Sequence, residues 1–256
     1  MHAEQTIAAA EAGKHVLCEK PMAMNVTECR SMISACQDNA VQLMIAYYRR
    51  FWPIAQKMKQ LLDEGAVGRP TIARAHCACL WQPPEDASGF WRIQPEIAGG
   101  GFLWDIGAHR LDLLLQMMGD VDSLGALVDA LHFDIEVDDS SSLVMQFASG
   151  AHGIGMFYWN VGANMDVLEV AGPGGRLIAT DLGAGNLTLI QADNTEEFRL
   201  PPPKITHLPL IEHYVQCILS GEPNALPGEE GMKTTAIIEA SEKSSRSATF
   251  IKLKSL

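Results

Sequence analysis

The sequence is poor in positive charge, in long apolar runs and in paired cysteines. Lys and Arg number 19 against 31 Asp and Glu, a net charge of −12. A surface of that sign repels phosphate backbones and anionic lipid, which argues against nucleic-acid and membrane-surface partners. No apolar run approaches the ~18 residues that cross a bilayer. The longest candidates are broken by Gln116, Asp120 and Asp122, or by Asn160 and Asp166. Cys18, Cys29, Cys36, Cys77, Cys79 and Cys217 lack the CxxC spacing of a zinc site and the density of a secreted scaffold. Cys77 and Cys79, two apart in an expected strand, read as buried small hydrophobes. Met1-His2-Ala3-Glu4-Gln5 has no basic-then-apolar leader pattern, and no internal repeat is present. The triplets at Asn25 and Asn186 then read as chance matches to a glycosylation signal. The expectation is a soluble, cytoplasmic protein. With 256 residues, 47% hydrophobic and 20% charged, the chain can form one large domain or two modest ones.

What is present falls into two rhythms. Residues 3–12 read as a helix stopped at Gly13, His15–Cys18 as a short buried strand, Asn25 with Glu28 as a capping pair for a helix to about Gln37, and Val41–Ala46 as a second strand. This alternation belongs to a parallel α/β sheet. The Gly-rich strand–turn that opens a complete doubly wound domain is missing from the 256 residues. A helix from Pro53 to about Glu64 follows. From Thr71 the pattern turns to alternation, with strands expected at 124–133, 141–147, 153–159, 166–171, 176–180 and 187–191. Ser149-Gly150 and Gly172-Pro173-Gly174-Gly175 are hairpin signals. A mainly antiparallel sheet of about six strands, one inserted helix at about 103–118 and two closing helices near 206–220 and 229–245 are expected.

The inserted helix carries the chemistry. At about 100° per residue, Asp105, His109, Asp112 and Gln116 share a stripe about 60° wide on an otherwise apolar helix, with Arg110 the lone exception. Such a helix is buried with one side on a cavity. Gly99-Gly100-Gly101 before it suggests a close approach of backbone to ligand. Asp112 and Gln116 read as an internally satisfied seam. Asp105 and His109 read as functional, because a carboxylate one turn from an imidazole can orient it for proton transfer. A metal site built on the same pair is the lesser alternative, since a third ligand is not evident. Glu19-Lys20-Pro21 follows a buried strand at the edge where parallel sheets place ligands, and Lys20 there can serve as an acid, a base or a point charge over a substrate oxygen, or be an ordinary loop Lys.

Glu19-Lys20-Pro21, the segment Tyr47-Tyr48-Arg49-Arg50-Phe51-Trp52-Pro53, and Trp91-Arg92 with Gly99–Gly101, Asp105, Gly107, His109 and Asp112 stand in order at characteristic intervals. Together they resemble the Gfo/Idh/MocA family of NAD(P)-dependent oxidoreductases over essentially the whole chain. The resemblance implies an incomplete Rossmann-like parallel sheet in residues 1–47, and an α+β substrate-binding and oligomerisation domain in 48–256. It implies NAD or NADP as cofactor, held at the nicotinamide end by Glu19, Lys20 and Pro21. It implies hydride exchange with a sugar, cyclitol or related polyol, and assembly as a homodimer or homotetramer. His109 would take the hydroxyl proton, Lys20 would hydrogen-bond the same oxygen, and Asp105 would orient the pair. Arg49, Arg50, Trp91 and Arg92 would lie near the substrate, and Trp81, His152, Tyr158 and Trp159 are further candidates. For Trp91 the alternative is core packing.

The family's dinucleotide fingerprint lies on a first strand and turn that these residues do not include. The chain as given is therefore expected to bind a dinucleotide poorly. The competing reading is a non-catalytic binding or assembly protein that uses the antiparallel sheet as an interface.

Overall fold

The computed structural model describes residues 1–81 and 89–253. The first rhythm folds as α1 (His2–Glu11), β1 (Val16–Cys18), α2 (Val26–Asp38) and β2 (Leu43–Ile45), with β1 and β2 paired in parallel. Gly13 closes α1 at a φ of 68°. The Asn25 side chain accepts the Glu28 N–H at 2.9 Å, and Glu28 in turn accepts the N–H of Met24, one residue before the cap. Leu43, Met44 and Ile45 are all buried, and the Ile45 N–H donates to the Leu226 carbonyl at 3.0 Å. Residues from the far end of the chain thus cover β2.

Next come α3 (Pro53–Asp63), β3 (Ile72–Leu80), the short α4 (Pro95–Ala98) and α5 (Ala108–Met118). They are followed by β4 (Val121–Asp129), β5 (Ser140–Phe147), β6 (His152–Tyr158), β7 (Asn160–Gly172), β8 (Gly175–Thr180), β9 (Asn186–Ile190) and β10 (Thr195–Arg199). The helices α6 (Leu208–Ser220) and α7 (Gly228–Ser247) and the two-residue β11 (Ile251–Lys252) close the chain. Among the described residues the sheet has nine strands in the order β10-β9-β8-β7-β3-β6-β5-β4-β11, antiparallel throughout except for β3 beside β6. Six were expected from Leu124 onward. β10 escaped because Thr-Glu-Glu-Phe-Arg holds one apolar residue, the pattern of a solvated edge. The first of the expected strands also begins earlier and ends at Asp129, and residues 130–139 form a loop.

Helix α5 packs between β3, α3 and α7, and α7 covers β4. The inner face of the sheet is apolar and buried, with Ala73 and Ala75 on β3, Leu143, Met145 and Phe147 on β5, and Phe157 on β6. Trp159, just past β6, stacks on Phe102 and Trp81 in this layer. Among the described residues no helix is long and apolar enough to cross a membrane.

Candidate active site

The segment before α5 departs from the expected regular helix. Leu103–Gly107 is a π-helical turn, wider by one residue than an α-helical one, which runs into α5 at Ala108. The single stripe assumed constant α-helical rotation, and the π-turn shifts its phase. Its members accordingly take separate partners.

Asp105 does not hold His109. Its Oδ1 and its backbone carbonyl accept from Lys20 Nζ at 2.9 and 3.0 Å, and its Oδ2 accepts from Arg92 Nε at 3.1 Å. Asp105 is thus the anchor of the Lys20 ammonium, which stands just beyond the end of β1. The Arg92 guanidinium lies 4.5 Å from the Trp91 ring. Trp91 is 43% exposed, so the core-packing alternative for it fails. Two cations therefore meet one carboxylate here, which leaves positive potential for a substrate oxygen.

His109 is buried, edge-on to the rings of Tyr48 (5.1 Å between centroids) and Tyr47 (6.0 Å), and its Nδ1 has no hydrogen-bond partner among the described residues. Burial holds its pKa well below the ordinary imidazole value, and the nearby charges of Lys20, Arg49 and Arg110 push the same way. The ring is consequently neutral at pH 7 and able to accept a proton. Tyr48 also packs against His207 at the start of α6, with the two rings tilted and 3.9 Å between centroids. Sequence reading did not single out His207; Thr206-His207 after a proline-rich linker carries no signal of it.

Arg49 stacks on Trp52 at 4.8 Å and reaches Tyr48 at 5.6 Å. Arg50 does not face this group. Its Nε donates to both Asp112 carboxylate oxygens at 2.9 Å, its Nη2 lies 2.7 Å from Oδ1, and both residues are buried. A guanidinium gripped this way is a packing element, which corrects its assignment to the substrate. The Asp112 seam is satisfied, but Gln116 Oε1 is a buried acceptor without a partner among the described residues. Arg110, the exception on the apolar circumference, is buried through a 2.7 Å pair with Asp166. The Glu19 carboxylate accepts its neighbour's N–H, the Glu19 carbonyl accepts from the Cys18 thiol at 3.3 Å, and the Pro21 carbonyl accepts from His2 of α1 at 2.9 Å. Tyr158 hydrogen-bonds Ser142, and His152 is exposed.

The triple glycine serves protein packing rather than a ligand. A Cβ on Gly101 would stand 1.8 Å from the Asp138 carbonyl oxygen, and one on Gly100 2.0 Å from the Trp104 ring. Asp138, also missed, fills the space beside Gly101, and Trp104 the space beside Gly100. Three thiols are held protonated by burial, which raises Cys18 to about 12 and Cys29 and Cys77 to about 11.

Residues 1–47 match the family described as "Oxidoreductase family, NAD-binding Rossmann fold", and residues 55–178 match "GFO/IDH/MocA C-terminal domain". The chain is 31% identical over 244 residues to 1,5-anhydro-D-fructose reductase of Ensifer adhaerens, covering 92% of this chain and 72% of that protein. It is 33% identical over 176 residues to levoglucosan dehydrogenase of Pseudarthrobacter phenanthrenivorans, covering 60% of this chain and 45% of the relative. A levoglucosan dehydrogenase solved in complex with NADH and levoglucosan superposes with a TM-score of 0.90 at 25% identity, over 100% of this chain and 77% of that one.

The family implies a nicotinamide dinucleotide, and the residues present fit one end of it. Lys20, and His109 with its Nδ1 free of a partner among the described residues, suit the nicotinamide and the reacting oxygen. The loop from β1 to α2, residues 19–25, holds no glycine with which backbone could approach a pyrophosphate. With two family matches in order along the chain, and a relative above 30% identity matched over most of both lengths, the chain belongs to the Gfo/Idh/MocA family of oxidoreductases.

Proposed function

We propose that this protein transfers a hydride between a nicotinamide cofactor, NAD or NADP, and a secondary alcohol of a sugar, anhydrosugar or cyclic polyol. The observation that carries the reading is the Lys20 ammonium fixed by Asp105 beside a buried, neutral His109. The names of the relatives supply the substrate class. A bound nicotinamide, which Lys20 and its neighbours after β1 would hold, would supply the hydride acceptor. His109, unprotonated at neutral pH, takes the proton from the substrate hydroxyl. Lys20 donates a hydrogen bond to the same oxygen and stabilises the negative charge that develops there. Asp105 holds Lys20 in place, and Arg49, Trp91 and Arg92 bound the substrate.

In this reading residues 1–47 belong to the nucleotide-binding domain and 48–256 form the substrate and oligomerisation domain. The outer face of the sheet, with Ile72 and Val144 exposed and Ile154, Met156 and Tyr158 half-buried, joins copies into a homodimer or homotetramer. Light scattering that shows only a monomer at micromolar concentration contradicts that assembly. The six unpaired cysteines, five of them buried, suit the cytoplasm.

His109→Asn and Lys20→Met should each lower turnover about 100-fold or more while cofactor affinity stays near the wild-type value. Unchanged turnover in both variants removes the assignment.

A further inference from the structure

We infer that Asp138 is a positioning residue for Lys20, acting through the π-turn that carries Asp105. Its role in turnover rests on the function proposed above; its role in placing Lys20 does not. Asp138 is buried at the end of the 130–139 loop. Its Oδ1 accepts the N–H of Gly101 at 2.7 Å, and its Oδ2 accepts the N–H of Leu103 at 2.9 Å and the hydroxyl of Ser141 at 3.1 Å. Its backbone carbonyl accepts the N–H of Phe102 at 3.2 Å. Three successive amides at the entry to the π-turn therefore close on one residue. They are the donors that a helix start leaves without an internal partner, and a carboxylate there also meets the positive end of the helix dipole.

The path to Lys20 is short. Gly101, pinned by its N–H to Asp138, accepts the Asp105 N–H on its own carbonyl at 3.1 Å. Asp105 then grips Lys20 through Oδ1 and its carbonyl. The close approach depends on Gly101 having no side chain, because a Cβ would overlap the Asp138 carbonyl. Released from Asp138, the entry residues would be free to take ordinary α-helical geometry. Losing the extra residue of the π-turn would rotate Asp105 by about 100°, away from Lys20.

Asp139 supplies a matched control. It too receives successive backbone amides, from Leu131, His132 and Phe133, each at 2.9 Å, together with Ser140 and Asn160. These contacts organise the loop and not the π-turn. A purely structural role for Asp138 predicts the same behaviour from both aspartates.

The test is trace acylation of the folded chain with acetic anhydride, reading Lys20 against the exposed Lys14 by peptide mass spectrometry, with no cofactor present. Asp138→Asn should raise the Lys20:Lys14 ratio about tenfold, the factor equivalent to about 1.4 kcal/mol. Asp139→Asn should lower stability and leave the ratio alone. Ser141→Ala, which removes one donor from the Asp138 carboxylate, should raise the ratio less, and it decides the matter if Asp138→Asn does not fold. An unchanged ratio in the folded Asp138 variant, or an equal rise in Asp139→Asn, overturns the inference. A wild-type protein that oxidises no polyol overturns the proposed function and leaves the Lys20 ratio standing.

Discussion

Removing either member of the Arg50–Asp112 pair should destabilise the protein strongly, and removing both should cost far less than the sum. Asp112 is fully buried and Arg50 nearly so, with both carboxylate oxygens engaged. Breaking such a pair from one side leaves an uncompensated buried charge, which costs about 3–5 kcal/mol. The two single variants should not be equal. In Asp112→Leu the Arg50 charge cannot be neutralised, and its other carboxylate, Glu230, is 4.0 Å away. In Arg50→Met the stranded carboxyl can take a proton instead; burial already lifts its pKa to about 6 with the arginine present. Protonating an ordinary Asp at pH 7 costs about 4 kcal/mol, which caps the penalty of that variant. The double variant, apolar on both sides, should approach wild-type stability, giving a coupling of at least about 2 kcal/mol. Urea denaturation at pH 7 followed by circular dichroism measures all four proteins. Coupling near zero would refute the buried-pair account. A large rise in substrate KM for a stable double variant would return Arg50 to the substrate.

Two further outcomes are expected. His109 is held neutral by burial, so its folded pKa lies below the unfolded value of about 6.5. Its contribution to stability is present above that pH and is lost as pH falls below it, by up to about 1.4 kcal/mol per unit. The wild-type minus His109→Gln difference isolates this slope from that of Asp112, whose raised pKa acts in the opposite sense; a flat difference between pH 7 and 5 would mean His109 is solvated. Gly101→Ala should cost about 1–3 kcal/mol by overpacking against Asp138, and a melting temperature within a degree of wild type would show that the entry to the π-turn can relax.

The division into a parallel start and an antiparallel remainder was legible because hydrophobic period and turn residues agree along the chain. Asn25 with Glu28, Gly13 and the Gly172–Gly175 hairpin all lie where their chemistry places them. The burial of α5 was legible too, from a circumference with almost no surface charge. The partners of its polar residues were not. A single residue added in the π-turn changes the phase between Asp105 and His109, and sequence periodicity assumes that phase. Asp138 and His207 were hidden because each acts on a segment more than 30 residues distant in the chain, through backbone amides or a ring face. The triple glycine announced a close approach but could not say that another part of the protein makes it.

The central claim is tested most directly by following deuterium from the carbinol carbon of labelled cyclic polyols into the nicotinamide ring. NAD+ and nicotinamide mononucleotide are each supplied in excess, because the residues present fit the nicotinamide end. The account predicts transfer with the wild-type protein, reduced about 100-fold or more in His109→Asn and in Lys20→Met. Transfer that is equal in all three proteins, or absent from the wild type across a panel of anhydrosugars and cyclitols, would contradict it.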